Sequence, residues 1–339
     1  MKRVAAKLVG PKKFDFFEED IPVLADGEML IRLRAAGLCH SDLPPYLGIG
    51  ASVLNRHGYH VMTSSLPYPY PLGHEPLGVV EEIGRGVKDF RPGDAVGGMA
   101  HGAFATHIVT TGLAMAKVDP NPAKLPLAEP MMCVANIARI ARPEFGDRVA
   151  VIGCGYMGLL VIQALAGANI ETLAAIDLLD NRLELAKKYG ASLAVNPARE
   201  DLEDAAFAAT GGRMFDVVVE ITGSLRGFDG AMSIIRLADR IGPKGQGRLI
   251  LPSVYAKEEK WSLGTGWNLM LRSPIIHVAH PRYATDLQDV LERGIAMYNL
   301  GRLKSDELIS HRIPFPNIGD GFEILASGSP DYLKGVVVF

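Results

Sequence analysis

Cysteine is scarce in this chain. Cys39, Cys133 and Cys154 are the whole supply in 339 residues. They are too few and too scattered for a disulfide framework, so a reducing, cytoplasmic setting is expected. An excess of one charge is lacking too: 35 Lys and Arg against 38 Asp and Glu leave a net charge of −3. That balance provides no field for gathering DNA, RNA or an anionic membrane surface, so neither nucleic acid nor membrane is an expected partner. The opening stretch, Met1 to Phe14, is basic without the apolar core of a signal peptide.

Long hydrophobic runs are also rare. Val149 to Ile170 contains no charged residue and is long enough to span a bilayer. However, Gly153, Gly155 and Gly158 cluster near its start, and Gln163 and Asn169 stand toward its end. That punctuation predicts a buried strand, a glycine turn and a packed helix. What is present is the composition of a globular α/β protein, with 48% hydrophobic and 22% charged residues, 37 Gly and 22 Pro. At roughly 150 residues per domain the length predicts two domains.

Up to about residue 128 the chain is rich in short β-type runs, Glu28 to Ala36, Gly78 to Gly84 and Ala103 to Thr110, separated by turn signals such as Arg91-Pro92-Gly93-Asp94. From Arg148 strands alternate with helices. The expected strands are Arg148 to Ile152, Thr172 to Asp177, Leu193 to Val195, Phe215 to Glu220, Gly247 to Leu251 and Ile275 to Val278. Between them lie the helical segments Met157 to Ala166, Asn181 to Tyr189 and Glu200 to Ala209. Strict alternation requires right-handed crossovers and a parallel sheet, and six such strands make one doubly wound domain. After Pro281 a helix, Thr285 to Asn299, leads into Leu308 to Ile313 and a closing strand near Lys334 to Phe339. This tail is too short to fold alone. The expected organisation is therefore a first domain over 1–128, a nucleotide domain over 129–281, and a return of 282–339 to the first domain.

Gly153-Cys154-Gly155-Tyr156-Met157-Gly158 follows an apolar strand and opens a helix, and Asp177 ends the next expected strand. The context fits a dinucleotide: a tight turn at Gly153, close approach of a pyrophosphate at Gly155, tight packing at Gly158, and a helix N-terminus facing the phosphates. Asp177 would accept hydrogen bonds from the ribose hydroxyls and repel a 2′-phosphate, favouring NAD over NADP. Arg182 could soften that repulsion, or stand as an exposed helix residue.

Gly37-Leu38-Cys39-His40-Ser41-Asp42 follows one expected strand and Gly73-His74-Glu75-Pro76 precedes another. A thiolate, an imidazole and a carboxylate on strand-end loops are the ligand types of a catalytic zinc with one open position. Singly, each has an ordinary reading, since a buried Cys is a small hydrophobe and a lone His a satisfied polar group.

Together the pieces resemble the zinc-dependent medium-chain alcohol and polyol dehydrogenases, over nearly the whole chain. The resemblance includes Ile83-Gly84-Arg85-Gly86-Val87, Arg91-Pro92-Gly93-Asp94, Gly102-Ala103-Phe104-Ala105, the Glu129-Pro130 pair, the glycine turn and Lys334 to Phe339. It implies a six-stranded Rossmann domain beside an irregular, GroES-like β domain. It further implies a homo-oligomer, dimer or tetramer, that uses one catalytic zinc and NAD on a small alcohol or carbohydrate. By the same resemblance Cys39 and His74 bind zinc, with Glu75 and Glu129 available to complete the set. Glu129 is preferred over Cys133, because Leu127-Ala128-Glu129-Pro130 matches the polyol-type, sorbitol dehydrogenase-like members. Asp42 would orient the ring of His74 and Ser41 would take the substrate proton. His40, Lys334 and the residues of the glycine turn, Tyr156 and Met157 included, would approach the cofactor, and Arg282 and Tyr283 resemble a pair found near polyol substrates.

Three departures from the family pattern stand out. No cysteine lies between Asp94 and Gly102, so the lobe that binds a structural zinc is missing. Pro44 stands where some members carry a histidine of the proton relay. The stretch between Cys39 and His74 is long and holds Tyr46, Asn55, Arg56, His57, Tyr59, His60, Tyr68 and Tyr70, which are suited to hydroxylated substrates if that insertion reaches the site. Trp261 and Trp267 are further candidates for the cleft. The expected activity is interconversion of a secondary alcohol (sugar, polyol or cyclitol) and its ketone. The alternatives are a simple alcohol dehydrogenase and a zinc-independent or non-catalytic relative.

Overall fold

The computed structural model describes residues 1–339 except 55, 58–59, 64–65, 238–244, 254, 256–262 and 281–285. The chain forms two compact units, one of Met1–Met132, Leu291–Asn299 and Ser305–Phe339, the other of Cys133–Val290 and Leu300–Lys304.

In the first unit the strand Glu28–Gly37 is the organising element. It pairs antiparallel with Glu75–Ile83, with His107–Thr111 and with the C-terminal strand Lys334–Val338. Enclosed by partners, it is buried at most positions, with Arg32 exposed and Glu28 and Arg34 half-buried. Under the sheet lie Leu8, Met29, Ile31, Tyr46, Phe104 and Phe322, each such side chain contributing roughly 1.5–3 kcal/mol on burial. The strand expected from Ala103 begins only at His107. Ala103 and Phe104 instead send their N–H groups to the carbonyls of Gly73 and Leu72. Part of the insertion folds back on itself, with Ala51–Leu54 antiparallel to His60–Thr63 and Ala51 opposite Thr63.

The second unit holds a parallel sheet. Among the described residues its order is Leu193–Val195, Thr172–Ile176, Arg148–Ile152, Val217–Glu220, Arg248–Leu251, Ile275–Val278. In chain order this is 3-2-1-4-5-6, the doubly wound arrangement whose crevice opens at the carboxyl ends of the strands. The apolar run at Val149 divides into a fully buried strand, Arg148–Ile152, and the helix Tyr156–Leu165. That helix is buried on nearly every side, which explains a composition that is apolar apart from Tyr156 and the buried Gln163. No described helix is long and apolar enough to cross a membrane.

Candidate functional site: a Cys-His-Glu cluster and a glycine turn

Sheet register creates the first cluster. Gly37 ends one strand directly opposite Glu75, which begins the next, so the loops that leave these ends are neighbours. Cys39 caps a single 3-10 turn, His40–Asp42, and His74 immediately precedes Glu75. As a result the Cys39 sulfur, a His74 nitrogen and a Glu75 carboxylate oxygen all lie within 4.8 Å of one another. Cys39 and His74 are half-buried and Glu75 is buried.

Around this group, Asp42 Oδ1 lies 3.3 Å from His74 Nδ1. That contact assigns Nδ1 to the carboxylate and leaves Nε2 for the cluster. The Ser41 hydroxyl donates to the Cys39 sulfur at 3.3 Å and stands 3.4 Å from His74 Nε2. Burial pulls the His74 pKa down, but the charges of Asp42 and Cys39 overcome it and hold it well above the usual value. Thiolate, imidazole and buried carboxylates are the donors of a zinc site, and these anions favour a positive charge among them. The residues therefore fit a divalent cation.

Glu129 is not part of this group. It is buried in the first turn of the helix Ala128–Ala141. Cys133, farther along that helix, is half-buried. Lys334 does not reach outward. Its buried ammonium donates to the Leu38 carbonyl at 2.9 Å and to Glu75 at 2.7 Å. His40 is exposed, its ring edge-on to Tyr332.

The insertion requires a correction. Tyr46 is no handle for substrate: it is fully buried, stacks on Phe322 and donates its hydroxyl to Glu323 at 2.6 Å. Tyr70 pairs opposite Leu8 in a sheet. Arg56 and His57 are exposed and bonded to each other, and Tyr68 is exposed. Asn55, Tyr59, Trp261, Arg282 and Tyr283 lie outside the described residues, and of His60 only the strand position is described. Trp267 is exposed on the helix Leu263–Arg272.

In the second unit the glycines are explained by space. Gly153 has φ +98°, and a Cβ there would sit 2.8 Å from Thr222. A Cβ at Gly158 would strike the Gly153 carbonyl at 1.8 Å, whereas at Gly155 it would meet nothing within 4 Å. Gly155 is thus the open approach to the helix N-terminus, which it caps without any side-chain bond. Such a cradle fits a pyrophosphate. Tyr156 buries its ring, so its main offering there is backbone; Met157 is half-buried. Asp177 follows its strand instead of ending it, and its carboxylate accepts from Cys154 N–H at 2.7 Å and Leu179 N–H at 2.9 Å. Arg182 Nη1 is 4.0 Å away.

The pairing of Lys334 with Glu75 had no signal in the sequence, since 259 positions separate the two. Neither did the buried carboxylate of Glu220, which accepts from Thr222 N–H at 2.8 Å and from the Tyr255 hydroxyl at the carboxyl end of Val217–Glu220.

A cysteine, histidine and carboxylate group on a β scaffold, with a glycine-turn nucleotide fold in the same chain, defines a metal- and nicotinamide-dependent dehydrogenase. Residues 25–119 match the alcohol dehydrogenase GroES-like domain and residues 157–248 the zinc-binding dehydrogenase domain. The erythritol/L-threitol dehydrogenase of Mycolicibacterium smegmatis is 27% identical, over 94% of this chain and 93% of its own. The (R,R)-butanediol dehydrogenase of Bacillus subtilis is 32% identical, over 60% of this chain and 65% of its own. An Escherichia coli oxidoreductase/dehydrogenase of unknown specificity shares the fold with a TM-score of 0.82 at 21% identity, covering 100% of this chain and 99% of its own. The chain belongs to the zinc-dependent medium-chain alcohol/polyol dehydrogenase family. It is an oxidoreductase that works with zinc and a nicotinamide cofactor.

Proposed function

We propose that this dehydrogenase uses NAD to oxidise a secondary hydroxyl of a sugar, sugar alcohol or cyclitol to the ketone, and catalyses the reverse reduction. The observation that carries the reading is the Cys39, His74 and Glu75 cluster with the Ser41 hydroxyl against two of its members. Cys39 and His74 would hold zinc, with Glu75 and Glu129 as the carboxylates available to complete the set. When bound, zinc supplies a Lewis acid for charge developing on the substrate oxygen, and the nicotinamide accepts the hydride.

The chain's own residues handle the proton and the geometry. Ser41 accepts the hydroxyl proton and, being exposed, passes it to water; Pro44 offers no onward relay. Asp42 keeps His74 in the tautomer that presents Nε2. Gly153, Gly155 and Gly158, with the first-turn amides of Tyr156 and Met157, hold the pyrophosphate. Asp177 discriminates against a 2′-phosphate, while Arg182 borders the cofactor.

The polyol reading is supported by the relatives' names, because erythritol and butanediol both carry secondary hydroxyls. It is also supported by the polar insertion at Arg56, His57 and Tyr68. The edge strand Ile275–Val278 exposes Ile275, Ile276 and Val278, which supports pairing between two copies. Turnover of a panel of polyols, cyclitols and primary alcohols with NAD and NADP tests the reading. A polyhydroxylated secondary alcohol with NAD should give the highest kcat/KM, and a primary alcohol or NADP in first place would refute it.

A further inference from the structure

Glu220 is a fully buried carboxylate whose partners among the described residues are all neutral. One oxygen accepts from the Thr222 N–H at 2.8 Å and from the Thr222 hydroxyl, the other from the Tyr255 hydroxyl. Both oxygens act only as acceptors, as in an ionised carboxylate. Asp147 and Asp216, buried in the same unit, instead lie against Arg248 and Arg148, the ordinary way to offset a buried charge. Glycine makes room for the arrangement, since a Cβ on Gly227, in the first turn of the helix Leu225–Ile234, would fall 2.5 Å from Glu220 Oε1.

Topology gives this charge its place. Glu220 ends its strand in register with Ile152, and these adjoining strands are the first and fourth of the sheet, where the crevice opens. Thr222 borders the glycine turn, because a Cβ on Gly153 would sit 2.8 Å from it. The Ser253 hydroxyl donates to the Ile221 carbonyl at 2.9 Å, so the loops after Val217–Glu220 and Arg248–Leu251 are tied together. A dinucleotide spreads over both halves of such a sheet, adenosine on the half with the glycine turn and nicotinamide on the other. Glu220 and Tyr255 belong to the nicotinamide half.

We propose that the Glu220 carboxylate is a fixed counter-charge for the oxidised, cationic nicotinamide, strengthening the binding of that form relative to the neutral reduced one. The inference rests on the nicotinamide cofactor and not on the choice of NAD over NADP. Oxidation of the alcohol moves a hydride, a proton with two electrons, from its carbon to the ring and cancels the ring's charge, while the hydroxyl proton leaves separately. A fixed negative charge therefore favours the oxidised form, and burial lets the attraction act through a medium less polarisable than water. Held by its donors, the carboxylate is already oriented before the cofactor arrives. A merely structural role would treat both forms alike, because losing the bonds to Thr222 and Tyr255 would loosen the loops under either ring.

The ratio of two affinities therefore decides. Zinc-loaded, full-length protein is titrated calorimetrically with the oxidised and reduced forms of whichever cofactor it prefers, NAD or NADP. ADP-ribose, or its 2′-phosphate for NADP, serves as the probe that lacks nicotinamide. In Glu220→Gln the Kd of the oxidised form should rise about threefold to tenfold relative to that of the reduced form, with the ADP-ribose probe bound as in wild type. Tyr255→Phe removes a donor but keeps the charge, and should leave the ratio near wild type. Glu220→Met serves where Glu220→Gln fails to fold. An unchanged ratio in a folded neutral variant, or a ratio that shifts as far in Tyr255→Phe as in Glu220→Gln, overturns the proposal while leaving the cofactor reading intact. Wild-type protein that binds neither form of either cofactor overturns both.

Discussion

The Asp42 carboxylate lies 3.3 Å from Nδ1 of His74, so the imidazole nitrogen facing the cluster is fixed by a neighbour on the opposite loop. Asp42→Ala should consequently weaken zinc binding by about 10–100-fold, read by chelator competition. Unchanged affinity would show that the ring is held by other means.

Ser41 stands against both Cys39 and His74. Ser41→Ala should lower kcat by roughly 10²–10⁴-fold and leave zinc content and thermal stability near wild type. Steady-state kinetics beside elemental analysis separate the effects, and a variant with normal kcat would remove Ser41 from the proton path.

Asp177 has two tasks, since its oxygens secure the glycine turn and the following loop. Asp177→Ser should raise KM for both nicotinamide cofactors and narrow the preference for NAD measured as kcat/KM. Wild-type enzyme that favours NADP would contradict the assignment.

Shortening the insertion has to leave the buried Tyr46 and Leu66 in place. Ala51 and Thr63 are paired across the hairpin, so a short linker can replace residues 51–65. That protein should keep its NAD affinity and lose kcat/KM for the polyhydroxylated substrate. Retention of the wild-type substrate profile would show the hairpin to be remote from catalysis.

A stability prediction concerns Asp216, which is buried with Arg148 at 2.9 Å and Arg236 at 3.0 Å. Burial raises its pKa, but the two guanidinium groups, Arg148 first, hold it below the ordinary carboxylate value. A depressed folded value means that the stabilisation is complete above the unfolded pKa and lost as pH falls through the folded one. Asp216→Asn should cost about 3–5 kcal/mol at neutral pH by leaving buried cations uncompensated. The penalty should shrink below the ordinary carboxylate range in denaturant titrations, and a pH-independent penalty would contradict this account.

Much of the doubly wound sheet could be read directly, because Arg148–Ile152, Leu193–Val195 and Ile275–Val278 are short apolar runs bounded by turn residues. The Cys39, His74 and Glu75 loops could be read from residue type and family resemblance. Tyr46 was misleading: a tyrosine beside a long insertion suggests a substrate contact, yet its partners Phe322 and Glu323 lie near the other end of the chain. Lys334 was misleading for the same reason, since only the register of three strands brings its ammonium to Glu75. Local pattern reports propensity, whereas such pairings depend on topology.

The zinc content of purified wild-type and Cys39→Ser protein, measured by elemental analysis with turnover of the same samples, tests the central claim most directly. One zinc per chain in the wild type, lost together with activity in a folded Cys39→Ser protein, is the predicted result. Two zinc ions per chain, none, or a Cys39→Ser protein that keeps both metal and activity would contradict it.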